Sequence, residues 1–424
     1  MKVKGYITGL IGSKNFKHGI LYTVFSFFNN GIGFILLLIL ARYLTPEDYG
    51  YLNLFSTFIS ICGIVISLST VSYIGICFFQ RDGETLRKVI LIALGTTTIM
   101  LTFLTGILIL FPTFAEKYIG VPVRYLWLGL LICYFQVFNT LNLDIWRLEE
   151  KPIRYGIYGV SLAICNMILT LYMVIGLHMG WIGRVYAWLY LGTIYFAISL
   201  IFLIKRKYLI FKRPNLTLFK ETYIYALPLI PHSLSFWLKQ GLDRYILNFF
   251  YDQSVVGYFS FAMNLASVIM IIGTAFNSTN SVFMYKKLAE GYAKVRHVLS
   301  KMTGIMIWIF LFASVAVALF AVGLIRLCLY QYEGSIQYIL PLCIGSYAQC
   351  IYLLSVNYLF FYKRTRQLMY ITFSTAILQM LLSIWLTRFS PLYTAYISMS
   401  VNILTTYIVC YKSRILLRKQ LVQS

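Results

Sequence analysis

Charged residues are scarce in this chain, and acidic residues are the scarcest of them. Only 12% of the 424 residues are charged, with 13 Asp and Glu against 36 Lys and Arg. Soluble domains carry about a quarter charged residues, because most of their surface must face water. With 60% hydrophobic residues and a mean hydropathy of +0.78, the chain is predicted to be an integral membrane protein without a folded domain outside the bilayer.

The sequence also lacks the usual equipment of enzymes and metal proteins. Its eight cysteines include no C-x-x-C pair, and its four histidines have no metal-ligand spacing. The absence of a glycine-rich loop ending in Lys-Ser or Lys-Thr argues against a built-in ATPase. The few acids predicted in outer loops form no evident acid–base pair; they are Glu47, Asp48, Glu116, Asp252 and Glu333. We therefore expect no catalytic residue, cofactor or metal, which favours a carrier over an enzyme.

Apolar runs long enough to cross a bilayer, about 20 residues each, occur about twelve times. The predicted spans are residues 19–40, 51–77, 89–112, 125–144, 155–177, 183–204, 223–248, 255–279, 301–325, 337–360, 368–387 and 391–411. With the N-terminus inside, the inner segments hold 28 Lys and Arg and the outer loops hold 6. This distribution follows the positive-inside rule rather than a nucleic-acid-binding face, and it predicts two cytoplasmic termini and no cleaved leader.

A basic connection, residues 205–221, separates six predicted spans from six. We expect it to be a cytoplasmic linker between two six-helix bundles at residues 1–204 and 222–424. Two parallel bundles of this kind would be related by an axis along the membrane normal and would surround a central cavity.

Short sequence matches between the halves support this division. Gly50-Tyr51 and Gly257-Tyr258 each open a helix and are 207 residues apart. Lys151 and Lys363 each begin a basic inner loop, after the fourth and the tenth span. The predicted fold is thus all-α, with pseudo-symmetric halves.

The seventh span contains the charges that bear most directly on function. Lys239 and Asp243 are four residues apart, so they share a face of a continuous helix and are predicted to form a structural ion pair. Arg244 lies about 100° further round that helix. It either snorkels to the outer interface or lines a cavity facing an anionic substrate, where Lys239 would join it.

Other polar or helix-breaking residues in the spans have two interpretations each. Pro228 and Pro231 each remove a backbone donor, so they produce either a plain kink or a hinge between two cavity states. Asn29 and Asn30 in the first span either hold helices together or face the cavity. His232, next to the second proline, is a further candidate for substrate contact.

Several of these segments resemble one family. Residues 41–50, ARYLTPEDYG, resemble the end of the first helix in bacterial polysaccharide-repeat flippases, the Wzx-type branch of the multidrug/oligosaccharidyl-lipid/polysaccharide exporter superfamily. Leu227-Pro228 with Asp243-Arg244 and then Val256-Gly257-Tyr258 resemble the start of its second half, and the basic segment 147–154 resembles the loop after its fourth helix. The layout matches over nearly the whole chain.

The resemblance implies alternating access to a cationic cavity. Its implied cargo is an undecaprenyl-pyrophosphate-linked oligosaccharide, moved to the outer leaflet of the bacterial cytoplasmic (inner) membrane for O-antigen lipopolysaccharide, capsule or exopolysaccharide. Arg42, Lys239 and Arg244 would contact the pyrophosphate, and a polysaccharide polymerase and chain-length proteins are implied partners. Drug-exporting relatives usually rely on acids in the first bundle, and this chain has none within its first three spans.

Two other functions stay open at this point. A membrane polymerase or ligase for the same glycans would need a catalytic outer loop, which we do not find. A cation-coupled exporter of drugs or of lipid II would share the superfamily fold.

Overall fold

The computed structural model describes residues 14–209 and 215–422, and they are almost entirely helical, without a strand in the described residues. Their helices are α1 Lys14–Tyr43, α2 Pro46–Ser67, α3 Val71–Gln80, α4 Gly83–Leu110, α5 Pro112–Ile119, α6 Val123–Leu148, α7 Pro152–Leu171, α8 Gly180–Lys205, α9 Leu216–Ala226, α10 Leu229–Gln240, α11 Leu242–Phe250, α12 Gln253–Ala289, α13 Tyr292–Cys328, α14 Ile336–Phe361, α15 Thr365–Leu386 and α16 Leu392–Val422. A π-helical turn, Tyr172–Gly176, extends α7, and a 3₁₀ turn, Tyr330–Ser335, precedes α14. The predicted all-α membrane fold is confirmed.

Within the described residues, ten helices are long and apolar enough to cross a membrane. They coincide with ten of the predicted spans, namely all except the first and the seventh. The first predicted span lies on α1, whose described apolar part is Phe27–Tyr43. The seventh is divided among three shorter helices, α9, α10 and α11.

The second predicted span, 51–77, is not one helix. It contains α2 and α3, separated at Leu68 and Ser69, which have φ angles of 43° and 57°. Positive φ is uncommon for residues with a side chain, and neither position carries the glycine that would have signalled it. The Ser67 hydroxyl donates to the Gly63 carbonyl at 2.8 Å, which provides a local bond at the end of α2.

The seventh span is interrupted twice. Pro228 lies in the turn between α9 and α10, where its ring nitrogen has no hydrogen to donate to the preceding turn. Pro231 is the third residue of α10, a position at which a helix needs no backbone donor. Gly241 separates α10 from α11. Of the two predicted hinge prolines, the structure therefore associates only Pro228 with a break.

The described residues form two compact units. The first unit comprises residues 14–44 and 55–231, and the second comprises 45–54 and 232–422. The boundary near 231 lies beyond the predicted linker 205–221, because α9 packs on α3 and α4 of the first unit. The beginning of α2 belongs to the second unit, whereas the rest of that helix belongs to the first.

The first ten residues assigned to the second unit are fixed there by reciprocal backbone contact. A Cβ built on Gly50 of α2 would lie 1.9 Å from the Gln253 carbonyl oxygen, and a Cβ on Gly257 of α12 would lie 1.9 Å from the Pro46 carbonyl oxygen. Only glycine permits such an approach of two helix backbones. Beside this crossing, the ring of the fully buried Tyr49 packs against the ring of Phe261, with 5.6 Å between the ring centroids.

Local structure repeats between the predicted halves. The Thr45 hydroxyl accepts from the Asp48 backbone N–H at the start of α2, and the Asp252 carboxylate accepts from the Val255 N–H at the start of α12. These two N-caps are 207 residues apart, which is also the separation of Gly50 and Gly257. Glu150 and Lys363 each lie two residues after the end of a helix, α6 and α14 respectively, and have φ angles of 54° and 56°. These two positions are 213 residues apart, so the structural register differs by one residue from the Lys151 and Lys363 match.

Candidate functional site

A cavity of about 290 Å³ lies within the second unit and contains both charged candidates of the seventh span. Its lining comes from α10, α11, α12, α14 and α16. Lys239, Gln240 and Arg244 supply the wall formed by α10 and α11. We call this cavity the cationic pocket, because no acidic side chain is among its lining residues.

Arg244 lies in the first turn of α11, three residues after Gly241, and lines the cationic pocket. Its Nε donates to the Ser260 hydroxyl at 3.0 Å, and an Nη donates to the Gln240 carbonyl oxygen at 2.9 Å. The other Nη is 4.0 Å from the Met263 sulfur. These contacts hold the planar guanidinium in place at the wall of the cavity.

Lys239, in the last turn of α10, is half-buried and donates from Nζ to the Thr405 hydroxyl on α16 at 3.0 Å. It also lines a smaller adjoining cavity of about 70 Å³, which shares Gln240, Gln349 and Asn402 with the cationic pocket. An ammonium at the wall of these two cavities can attract an anion in the adjacent space.

The predicted ion pair between Lys239 and Asp243 is wrong. The Asp243 carboxylate, only 1% exposed, accepts from the Gln379 amide at 2.8 Å and from the Ser383 hydroxyl at 2.9 Å, both on α15. No ion pair between Lys239 and Asp243 is found in the described structure. The prediction considered only the seventh span, whereas α15 supplies the two donors for Asp243 and α16 supplies the acceptor for Lys239.

The remaining predicted contacts lie elsewhere. Arg42 is an exposed residue in the last turn of α1, and it does not line the cationic pocket. Asn29 packs against Gly159 of α7, with its amide nitrogen 2.9 Å from where a Cβ would lie, whereas Asn30 is exposed. The side chain of His232 lies outside the described residues.

Sequence reasoning missed the polar side chains that α14 and α16 contribute to the cationic pocket. They are Ser346, Gln349, Ser398 and Asn402. It also missed Arg184, which is only 8% exposed on α8 and donates to Asn166 and Thr170 at 2.9 and 2.7 Å. The signal available in the sequence was a polar or charged residue within an apolar run. Such a residue does not reveal which cavity its side chain faces.

The described residues contain no group of three His, Cys, Asp or Glu side chains that could hold a metal ion. The lining of the cationic pocket offers positive charge, amides and hydroxyls, which act through charge attraction and hydrogen bonds. An anion with further polar groups is the ligand that such a lining fits best.

Comparisons with known proteins agree with this architecture. The "Lsg locus putative protein 1" of Haemophilus influenzae is 24% identical over 367 residues, covering 83% of this chain and 86% of that protein. The inward-facing structure of a multidrug resistance MATE family transporter of the MOP superfamily has a TM-score of 0.77 at 17% identity, covering 94% of this chain and 96% of that one. The lipid II flippase MurJ, in its inward closed conformation, has a TM-score of 0.72 at 13% identity, covering 93% and 87%.

At these identities the two solved structures establish the fold, which is that of the MATE and MurJ transporters. The family is established by sequence. The profile of the family described as "Polysaccharide biosynthesis protein" matches residues 16–282, well over half of the chain. This multi-pass membrane protein therefore belongs to the polysaccharide biosynthesis protein family.

Proposed function

We propose that the protein is a flippase that moves an undecaprenyl-pyrophosphate-linked oligosaccharide repeat from the inner to the outer leaflet of the cytoplasmic membrane. The observation that carries the proposal is the cationic pocket, in which Lys239 and Arg244 line one cavity of a membrane-spanning unit. Charges within a membrane are costly, and residues that retain them there usually serve a substrate or ion pathway. Family membership and the transporter fold supply the context.

The two cations have complementary uses toward a pyrophosphate. The Arg244 guanidinium is held by Ser260 and Gln240, and its planar fork suits bidentate contact with phosphate oxygens. The Lys239 ammonium, held by Thr405, acts as a point charge. Release of the lipid-linked sugar would follow a change between inward- and outward-open states, for which the break at Pro228 is the proposed hinge.

Substitution of Arg244 tests the proposal in cells that depend on this protein for surface polysaccharide. Arg244→Gln is expected to abolish surface polysaccharide and to cause lipid-linked repeats to accumulate, while the amount of protein in the membrane is unchanged. Arg244→Lys is expected to retain part of the activity, because it keeps the charge but loses the bidentate geometry. Polysaccharide and lipid-linked intermediates are measured in the same cultures.

Arg366→Gln provides the matched control. Arg366 is exposed in the first turn of α15, where it contacts Tyr370 and not the cationic pocket. Its removal is expected to leave polysaccharide at the wild-type level. Normal polysaccharide in the Arg244→Gln strain would remove Arg244 from the mechanism.

A second candidate function is export of lipid II or of drugs, which the fold likeness to MurJ and to a MATE transporter favours. Complementation separates the candidates. Growth of a strain depleted of its lipid II flippase, or drug resistance in a strain lacking its exporters, would support these alternatives. Restored surface polysaccharide in a strain lacking its repeat-unit flippase would support ours.

A further inference from the structure

A second wall of the cationic pocket consists of neutral polar groups. Gln349 on α14 donates from Nε2 to Oδ1 of Asn402 on α16 at 3.1 Å, and both side chains line the cavity that holds Lys239 and Arg244. The pair is thus adjacent to the charges without being bonded to them. We call it the amide pair.

The internal bond of the amide pair leaves an acceptor oxygen on Gln349 and amide hydrogens on both residues for other contacts. The internal bond occupies a hydrogen of Gln349 and the oxygen of Asn402, so the Gln349 oxygen and the Asn402 amide hydrogens are available for other contacts. Neither atom is among the buried polar atoms that lack partners in the described structure. Both residues line the cavity, and exchanging the two amide assignments would present the same complement of groups.

Backbone packing fixes the amide pair in place. Gly345, one turn before Gln349, lies against α16, where a Cβ would be 3.3 Å from the Met399 Cα and 3.5 Å from the Asn402 amide nitrogen. Close approach of α14 and α16 at this glycine brings the two amides together. Asn402 is 7% exposed, so its position is set by the surrounding helices.

We infer that Gln349 and Asn402 bind the sugar residue attached directly to the pyrophosphate, and that they contribute to selection of the cargo by its sugar. This inference rests on the proposed function, in which Lys239 and Arg244 bind the phosphates. A donor beside an acceptor matches two neighbouring ring hydroxyls or one acetamido group, and lipid-tail recognition would not require it. The hydroxyls of Ser346 and Ser398 extend the same polar wall.

Binding of short-chain analogues to the purified full-length protein tests the inference. The probes are geranyl pyrophosphate alone, the same molecule bearing one N-acetylglucosamine, and the same molecule bearing one glucose. At least one sugar-bearing probe is expected to bind wild-type protein more tightly than geranyl pyrophosphate. Gln349→Met and Asn402→Leu are each expected to reduce that advantage about fivefold to tenfold, while affinity for geranyl pyrophosphate changes less than about twofold.

The matched control is another amide pair in the same unit, in which Asn357 of α14 donates to Asn277 at 2.7 Å outside the cationic pocket. Asn357→Leu is expected to leave the preference for sugar-bearing probes unchanged. If a variant loses affinity for only one of the two sugar-bearing probes, the result identifies the sugar group that the amide pair recognises. Reduced affinity for the glucose probe alone indicates ring hydroxyls, and reduced affinity for the N-acetylglucosamine probe alone indicates the acetamido group.

The outcomes separate this inference from the proposed function. If geranyl pyrophosphate fails to bind, or binds Arg244→Gln as tightly as wild type, the proposed function fails. If it binds through Arg244 but no sugar-bearing probe binds more tightly, or neither amide variant reduces the sugar-dependent advantage, only the sugar assignment is overturned. The thermal unfolding midpoint of each variant shows that it is folded, and either folded amide variant suffices for the test.

Discussion

At the scale of single residues, Lys239 and Asp243 of the seventh span bond to different neighbouring helices. Asp243 receives its hydrogen bonds from Gln379 and Ser383 of α15, whereas Lys239 donates to Thr405 of α16. The two residues that the sequence pairs therefore have different partners. Lys239 and Arg244 line the cationic pocket, and Asp243 contributes to the packing of α11 on α15.

This separation predicts that Lys239 and Asp243 contribute independently to stability. Asp243→Leu removes the acceptor of two buried hydrogen bonds and is expected to cost about 1–3 kcal/mol, which lowers the thermal unfolding midpoint in detergent. Lys239→Met is expected to have a smaller effect, and the shifts of the two single variants should add in the double variant. If the double variant is no less stable than Asp243→Leu alone, the two residues are coupled, and the result would support the ion pair.

Residues also show where sequence reasoning succeeds and where it stops. Hydropathy finds the long helices because a bilayer imposes about 20 apolar residues on each crossing. It does not find the break at Leu68 and Ser69, which has neither glycine nor proline. The amide pair of Gln349 and Asn402 joins residues 53 positions apart, and only the packing of α14 on α16 brings them together.

At the scale of helices, α2 and α12 cross with their backbones in close contact. Each glycine faces a carbonyl oxygen of the other helix at the equivalent position of the repeat. The sequence revealed the repeat through the two Gly-Tyr matches, but it could not show that the matching positions are in contact.

We predict that a single methyl group at this crossing disrupts it. Gly50→Ala and Gly257→Ala each place a Cβ 1.9 Å from a backbone oxygen, so each is expected to lower the unfolding midpoint and reduce surface polysaccharide. Gly63→Ala, on the same helix as Gly50 but with no atom within 4 Å of the added Cβ, is the control. It is expected to be neutral or stabilising, since alanine favours helix by about 1 kcal/mol over glycine. Equal tolerance of all three changes would contradict the crossing.

The broken seventh span yields a second prediction at this scale. Pro228→Ala restores a backbone donor at the break between α9 and α10, so it is expected to favour a continuous helix and to reduce transport. Pro231→Ala lies in the first turn of α10, where no donor is required, and should leave transport near the wild-type level. Surface polysaccharide in the two strains is the measurement. Equal activity of both variants at wild-type protein levels would exclude Pro228 as a hinge.

At the scale of the whole molecule, membership of the polysaccharide biosynthesis protein family and the transporter fold agree with the composition. The low content of acids, the excess of basic residues and the long apolar helices fit a multi-pass membrane protein and support the anionic lipid cargo that we propose. The orientation with both termini in the cytoplasm stays a prediction from the 28-to-6 distribution of Lys and Arg. The polysaccharide polymerase and the chain-length proteins likewise stay predicted partners, which the family resemblance implies.

The most direct test of the central claim is translocation in proteoliposomes of defined lipid composition. Undecaprenyl-pyrophosphate-linked oligosaccharide is placed in the inner leaflet, and its appearance outside is followed by binding of an impermeant lectin. The account predicts translocation well above that of protein-free vesicles, its loss with Arg244→Gln, and its retention with Arg366→Gln. Translocation at the wild-type rate by Arg244→Gln, or no translocation by folded wild-type protein in the vesicles, would contradict this function.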